Sequence, residues 1–239
     1  MDGDQLLRVG LVFLTFNRLD FTKRAVLNNV KKAGYPIGKT IFLDNGSSDG
    51  TPDWIKKSFP EAKIIVNEKN KGIAEGYNQL YKEVGEVDLI ARPSSDMCMP
   101  VNWLRDMVEW HKRIPQTGIV GMISRSYLPF VKKRYLGQPI ILNGYNIQPA
   151  NALGSIVFKK ELVKYKLPEY GLYGYDDTIW TEKVRNAGYV NYYADGLVED
   201  FPEEERVKYP EYVQWKMRQV AELEKKRPEL LELSSIING

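Results

Sequence analysis

From Arg8 to Arg92 the sequence alternates short β-branched and aromatic runs with segments of helical periodicity, and that alternation constrains the fold more than any other feature. Apolar runs at Arg8–Thr15, Lys39–Leu43, Ala62–Val66 and Val87–Ala91 read as strands. Between them, Leu19–Ala33, Thr51–Ser58 and Ile73–Val84 carry the spacing of amphipathic helices. Asp20 near the start of the first helix and Gly34 past its end match the polarity of helix caps, and Pro52 sits where a first helical turn needs no N–H. The order β-α-β-α-β-α-β predicts an α/β fold with a mostly parallel central sheet flanked by helices. Right-handed crossovers then bring the C-terminal ends of these strands to one edge. At 239 residues the chain is long enough for one large α/β domain or two small ones.

Polar residues gather at the expected edge. Asp44-Asn45-Gly46-Ser47-Ser48-Asp49-Gly50-Thr51 follows the apolar run Ile41–Leu43, and Thr15 ends the first strand. Nucleotide ligands of α/β folds sit at such a rim, so this loop predicts a nucleotide site, although Asp44 could equally close the loop as an Asx turn. Past the fourth strand, Arg92-Pro93-Ser94-Ser95-Asp96-Met97 reads as a polar turn, followed by a helix beginning near Pro100 with Trp103, Leu104, Met107 and Val108 on its apolar face. Asp96 could cap that helix; delivered to the same edge as Asp44, it could also hold a hard divalent cation against nucleotide phosphates. Asp176 and Asp177 open a further helix carrying Trp180 and Val184 and stopping before Gly188. Acids in a first turn are favoured by the helix dipole, which also keeps a carboxylate ionised and able to take a proton from a hydroxyl.

Composition removes several alternatives. A net charge of +3 with both signs interspersed does not call for nucleic acid as a partner. Cys98 is the sole cysteine, which excludes an intrachain disulfide and a multi-cysteine metal site, and His111 is the sole histidine, inside a helical segment, which excludes a histidine cluster and makes a Ser-His-Asp triad improbable. Carboxylates must therefore carry any acid-base or metal chemistry. No run approaches the roughly 20 apolar residues of a membrane span, and no signal-peptide core stands at the N-terminus. The chain is read as cytoplasmic, either free or peripheral to a membrane, with its oligomeric state open.

Five ordered motifs, Thr15-Phe16-Asn17-Arg18, the Asp44–Thr51 loop, Asn70-Lys71-Gly72 with Gly76 and Asn78, Asp96, and Asp176-Asp177 leading to Arg185 and Gly188, together closely resemble the family 2 glycosyltransferases with the GT-A fold. The resemblance runs from about residue 8 to residue 200, which implies a GT-A domain over 1–202 and a helical extension over 203–239. It implies transfer of a sugar from a nucleoside-diphosphate donor of UDP, dTDP or GDP type to a hydroxyl on a glycan or glycoconjugate, with Mn²⁺ or Mg²⁺ as cofactor. Thr15, Asn17, Arg18, Asp44, Asn70, Lys71, Gly72 and Ser95 correspond to nucleotide-binding positions, with Asp44 reading the base and Lys71 approaching base or phosphates. Asp96 matches the last acid of the family's Asp-x-Asp metal motif, but Ser94 stands where the first acid belongs. Members also supply a histidine after the last core strand; here Tyr193–Asp200 ends in Glu199 and Asp200, so an oxygen ligand, Asp200 or its neighbour, takes that place. Alignment back from Arg185 and Gly188 puts the general base on Asp177 and the preceding acid on Asp176. With no second nucleophile in evidence, the resemblance implies an inverting displacement.

The stretch 124–151 is the least periodic, with Tyr127, Phe130, Tyr135 and Tyr145 interleaved with Lys132, Lys133 and Arg134, and corresponds to the acceptor side in this family. Glu203–Leu233 is charged, with Tyr212, Val213, Trp215, Met217, Val220, Leu223 and Leu230 near helical spacing, which predicts an appended helix or helix pair packed on the core. Two other functions fit the same frame: a nucleotidyltransferase making the nucleotide sugar, disfavoured by the absence of a glycine-rich basic loop near strand one, and a non-catalytic nucleotide or sugar-binding module.

Overall fold

In a computed structural model of the protein, residues 6–114, 116–124, 126, 138–149 and 154–231 are described. The first half follows the expected order: β1 (Val9–Thr15), α1 (Leu19–Lys31), β2 (Lys39–Asp44), α2 (Thr51–Ser58), β3 (Lys63–Val66), α3 (Ile73–Glu83) and β4 (Leu89–Arg92). Then come β5 (Met97–Cys98), α4 (Trp103–Arg113), β6 (Thr117–Ser124), β7 (Ile140–Leu142), β8 (Tyr145–Pro149) and β9 (Ser155–Lys159). A 3-10 turn (Lys160–Tyr165), α5 (Asp176–Asn186), β10 (Val190–Asp200), α6 (Pro202–Lys208) and α7 (Pro210–Lys226) complete the chain.

The strands lie in the order β3-β2-β1-β4-β9-β6-β10-β8-β7, with β5 paired to β10. β1, β2, β3 and β4 are parallel neighbours, as the crossovers require, but β9 runs antiparallel to both β4 and β6, and β8 antiparallel to β10. The sheet is therefore mixed: parallel where helices connect the strands, antiparallel where they follow from the β7–β8 hairpin and the return of β9 between β4 and β6.

Side-chain alternation along the strands feeds two cores. Val9, Leu11 and Phe13 of β1 with Phe42 of β2 face α1, α2 and α4, whose Val26, Ile55, Trp103, Met107 and Trp110 complete that layer. Val12, Ile41, Leu43 and Ile90 point the other way, onto Ala74, Tyr77, Leu80 and Tyr81 of α3 and Trp180 and Val184 of α5. A strand buried on both faces reads as a continuous apolar run, which is why β1 was legible as Val-Gly-Leu-Val-Phe-Leu-Thr. Among the described residues no helix is long and apolar enough to cross a membrane.

Strand order fixes where a ligand can bind. The chain builds outward from β1 through β2 to β3, then crosses over by α3 to place β4 on the other side of β1. That reversal leaves a crevice beyond the C-terminal ends of β1 and β4, the switch point at which open α/β sheets bind ligands. Thr15 and Arg92 end those two strands.

Candidate active site

A cleft of about 800 Å³ opens at this switch point. Six of the residues singled out from sequence line it: Thr15, Arg18, Asn70, Ser95, Asp96 and Asp177. Asn17, Asp44, Lys71, Gly72, Asp176 and Asp200 stand behind the wall or beside it, and the reasons are local.

Asp44 is wholly buried, paired across the sheet with Thr15. Its Oδ1 accepts the Ser47 N–H (2.8 Å), and its Oδ2 accepts the hydroxyls of Ser47 (2.6 Å) and Thr15 (2.9 Å). Its carboxylate thus closes the loop in the Asx manner, and a base in the cleft would meet Thr15 and Asn45 before it. Asn17 and Arg18 both take positive φ, 51° and 57°, in the turn after β1. Asn17 is stitched to the neighbouring loop, its N–H donating to Ser47 Oγ (2.7 Å) and its Oδ1 accepting the Ser48 N–H (2.9 Å). Asp49 of that same loop caps α1 by accepting the Leu19 N–H (2.8 Å), a cap supplied from 30 residues away that no local pattern announces.

The Asn70–Gly72 segment is organised by Asn45. The Asn45 amide donates to Asn70 Oδ1 (2.9 Å) and to the Gly72 carbonyl (3.1 Å), while its Oδ1 accepts the Lys71 N–H (3.1 Å) and the Asn67 amide (3.0 Å). Lys71 contributes its backbone here; its ammonium lies 3.7 Å from Glu75 one helical turn on, outside the lining of the cleft. Gly72 has φ 91°, and a Cβ there would stand 2.8 Å from the Gly171 carbonyl oxygen and 2.9 Å from Leu172 Cα. Only glycine allows this backbone to pass so close to the loop that leads into α5.

Asp176 and Asp177 open α5, as the sequence suggested, but their environments diverge. Asp177 lines the cleft, its side chain 36% exposed, and its Oδ1 accepts a hydrogen bond from Arg92 Nη2 at 2.9 Å. Arg92, read from sequence as part of a polar turn, ends β4 at 2% exposure, with its guanidinium over the Tyr77 ring (4.4 Å). Burial alone would lower the Arg92 pKa; Asp177, with Tyr81 and Tyr77, outweighs it and holds the cation firmly charged. Asp176 is buried, and its Oδ2 has no hydrogen-bond partner. Burial first, and the neighbouring Asp177 second, push its carboxyl well above the ordinary range, since desolvation here exceeds the dipole's help. Asp176 stands behind the wall, and Asp177 is the acid presented to the cleft.

Asp96 receives the Arg18 guanidinium at 3.1 Å. Arg18 also pairs with Glu205 of α6 and lies over the Tyr212 ring of α7 at 4.1 Å. Burial opposes its charge, but Asp96, Tyr212 and Glu205 more than compensate and raise its pKa. Asp200 stands at the end of β10, paired in register with Met97 next to Asp96, and its Oδ2 accepts the Ser124 hydroxyl (3.1 Å) and the Ser126 hydroxyl. Glu199 beside it is exposed. Among the described residues no three Asp, Glu, His or Cys side chains cluster as a metal site. Asp96 and Asp200 are hard oxygen donors at one strand junction, a donor set that fits Mg²⁺ or Mn²⁺ only when further oxygens arrive with a ligand.

Several contributors escaped the sequence reading. Helices α6 and α7 form one wall of the cleft through Pro202, Glu203, Arg206, Tyr212, Trp215 and Lys216. Their signal was present in the aromatic spacing of α7, but not the direction it faces. Of the residues expected on the acceptor side, Tyr127, Phe130, Lys132, Lys133, Arg134 and Tyr135 lie outside the described residues, and Tyr145 packs edge-on against Trp110 of α4, 5.1 Å between centroids. His111 is buried, its Nε2 within 3.0 Å of the Val157 carbonyl, and serves the core.

The glycosyl transferase family 2 model matches residues 11–163. No curated relative matches the sequence. Among solved structures, the mannosyltransferase PcManGT from Pyrobaculum calidifontis, in complex with GDP-Man and Mn²⁺, superposes with a TM-score of 0.60 at 19% identity over 79% of this chain and 55% of that one. GalNAc-T7 with UDP, GalNAc and Mn²⁺ gives 0.62 at 11% identity over 82% and 44%, and S. aureus TarS 1-349 gives 0.59 at 17% over 80% and 59%. The chain spans about half the length of these structures, and at such identities the likeness is one of fold. The match across most of the sheet, on a frame shared with those enzymes, shows that this chain belongs to glycosyl transferase family 2 and has the GT-A fold.

Proposed function

We propose that the chain transfers a sugar from a nucleoside-diphosphate donor to a hydroxyl of a glycan or glycoconjugate, inverting the anomeric centre. The observation that carries this reading is that Asp96 and Asp177, 81 residues apart in sequence, line one cleft at the switch point of the sheet. Thr15, Asn45 and Asn70 would hold the nucleoside, and Arg18 and Ser95 would face the diphosphate. Asp177 would accept the proton of the acceptor hydroxyl as its oxygen bonds to the anomeric carbon and the carbon–oxygen bond to the diphosphate breaks, the electron pair leaving with the nucleoside diphosphate. Arg92 would orient that carboxylate. Mn²⁺ or Mg²⁺, held by Asp96 and Asp200 and by the diphosphate itself, would act as Lewis acid for the leaving group. Mn²⁺ in the PcManGT and GalNAc-T7 complexes supports a divalent ion here.

The Arg18–Asp96 pair favours a second reading, a nucleotide-binding module without turnover, because it already neutralises the acid a metal would claim. Release of nucleoside diphosphate from UDP-, GDP- and dTDP-sugars, with Mn²⁺ or Mg²⁺ and a mixed glycan acceptor pool, separates the two. Acceptor-stimulated release that Asp177→Asn abolishes supports transfer. Binding of a nucleotide with no release from any donor supports the module.

A further inference from the structure

The cleft has two unlike walls. Along the strand ends it is polar, with Thr15, Asn45, Asn70, Ser95 and Asp96. Facing them it is aromatic: Tyr212 and Trp215 of α7 stack at 5.5 Å, Tyr173 meets Trp215 edge-on at 6.3 Å, and Phe16 lies 6.1 Å from Trp215. All four rings line the cleft, and Tyr173 lies four residues before Asp177 on the loop that enters α5. Tyr173, Tyr212 and Trp215 lie beyond residues 11–163, so the family match covers only Phe16 of this wall.

We propose that this aromatic wall is the acceptor subsite, that Trp215 is its principal contact, and that its occupant is an uncharged pyranose ring. The inference rests on the transfer reading above. A sugar's C–H faces pack on aromatic rings, while its hydroxyls stay turned to polar groups. The charges on the wall are paired: Lys216 with Glu205, Arg206 with Glu203 (2.8 Å), Lys208 with Glu204 (2.8 Å) and with Asp20 of α1 (3.0 Å), and Glu204 also with Arg24 of α1 (2.8 Å). Between Pro202 and Lys216 the acids Glu203, Glu204, Glu205 and Glu211 outnumber the bases Arg206, Lys208 and Lys216, a net of −1. An acceptor's phosphate would have to compete with these carboxylates for each cation. The Arg18 bridge to Glu205, with Tyr212 over its guanidinium, pins the wall to the donor side, so the two substrates would meet at Asp177.

The test titrates methyl glycosides of neutral hexoses and N-acetylhexosamines, and separately sn-glycerol 3-phosphate, into the full chain with nucleoside diphosphate and Mn²⁺, following tryptophan fluorescence and calorimetry. Expected is binding of at least one glycoside, none of glycerol phosphate, and a loss of about tenfold or more in glycoside affinity in Trp215→Leu, restored in Trp215→Phe. In transfer assays Trp215→Leu should raise the acceptor KM far more than it lowers kcat. Tighter binding of glycerol phosphate, no binding of any glycoside, or an unchanged glycoside affinity in Trp215→Leu overturns the proposal. So does an equal loss of nucleoside diphosphate affinity, which would mean that the rings stack on the base. Donor hydrolysis by the wild-type chain is the separate control: its absence from every donor sinks the transfer reading, whereas its presence beside a failed glycoside result sinks the subsite alone.

Discussion

Replacing Arg92 by methionine should reveal how tightly the presented acid is built into the fold. Arg92 is buried at 2% exposure, donates to Asp177 at 2.9 Å and lies 4.4 Å from the Tyr77 ring. Removing one partner of a buried pair typically costs about 3–5 kcal/mol. Asp177 keeps 36% of its side chain exposed, so water can take up its charge when the guanidinium goes, and methionine preserves the apolar contact with Tyr77. The expected loss is therefore about 2–3 kcal/mol. Asp177→Asn should cost about 2 kcal/mol, because it leaves the buried cation without its carboxylate. The double variant removes both charges and should lose less than the sum, with a coupling of about 1.5 kcal/mol. Urea unfolding followed by circular dichroism at neutral pH, on all four proteins, measures these terms. Additivity of the two single changes to within about 0.5 kcal/mol would refute the pairing on which the base assignment leans.

Other outcomes follow from the same geometry. Asp177→Asn should abolish transfer, whereas Asp176→Asn should retain a measurable rate; the reverse pattern would move the base by one residue. Asp176, with its carboxyl raised by burial, gives stability that is present at low pH and lost as pH rises, so Asp176→Asn should melt higher than wild type at pH 9 and show no such gain at pH 4, which thermal denaturation at the two values would check. His111, lowered by burial from 6.5 to about 4, acts with the other sign: its contribution is complete above pH 6.5 and is lost as pH falls toward 4. That shift amounts to roughly 3 kcal/mol at about 1.4 kcal/mol per unit, and an acid titration of stability that is not flatter in His111→Gln would contradict it. Gly72→Ala should cost about 2 kcal/mol or more and weaken nucleotide binding, because the methyl group meets backbone at 2.8 Å and the neighbouring loop cannot rotate away; a calorimetric affinity equal to wild type would show that the loop yields.

The fold was legible where one physical signal dominated. β1 to β4 and their helices announced themselves through unbroken apolar runs and helical spacing, and α2 and the start of α5 through Pro52 and the acids at 176 and 177. The antiparallel half was less visible, because β9 enters between β4 and β6 by pairing partners more than thirty residues away, and local propensity carries no record of that register. Within the site, the acids that end strands were placed by topology, but their fates were set by burial. Asp44 gives its oxygens to Thr15 and Ser47, and at the start of α5 burial raises the Asp176 carboxyl, while Arg92, placed by sequence in a turn, is the partner of Asp177. The spacing of the last segment predicts a helix or helix pair packed on the core; that the aromatic face of α6 and α7 looks into the cleft depends on the Arg18, Phe21 and Arg24 contacts of α1 and its entry turn with Glu205, Tyr209 and Glu204.

Calorimetric titration of UDP, GDP and dTDP into the chain, with and without Mn²⁺, tests the central claim most directly. One of them should bind with a stoichiometry of one, more tightly with Mn²⁺, and Asp96→Asn should remove the metal's contribution. If none of the three binds under either condition, the cleft beyond β1 and β4 is not a nucleotide site and the account fails.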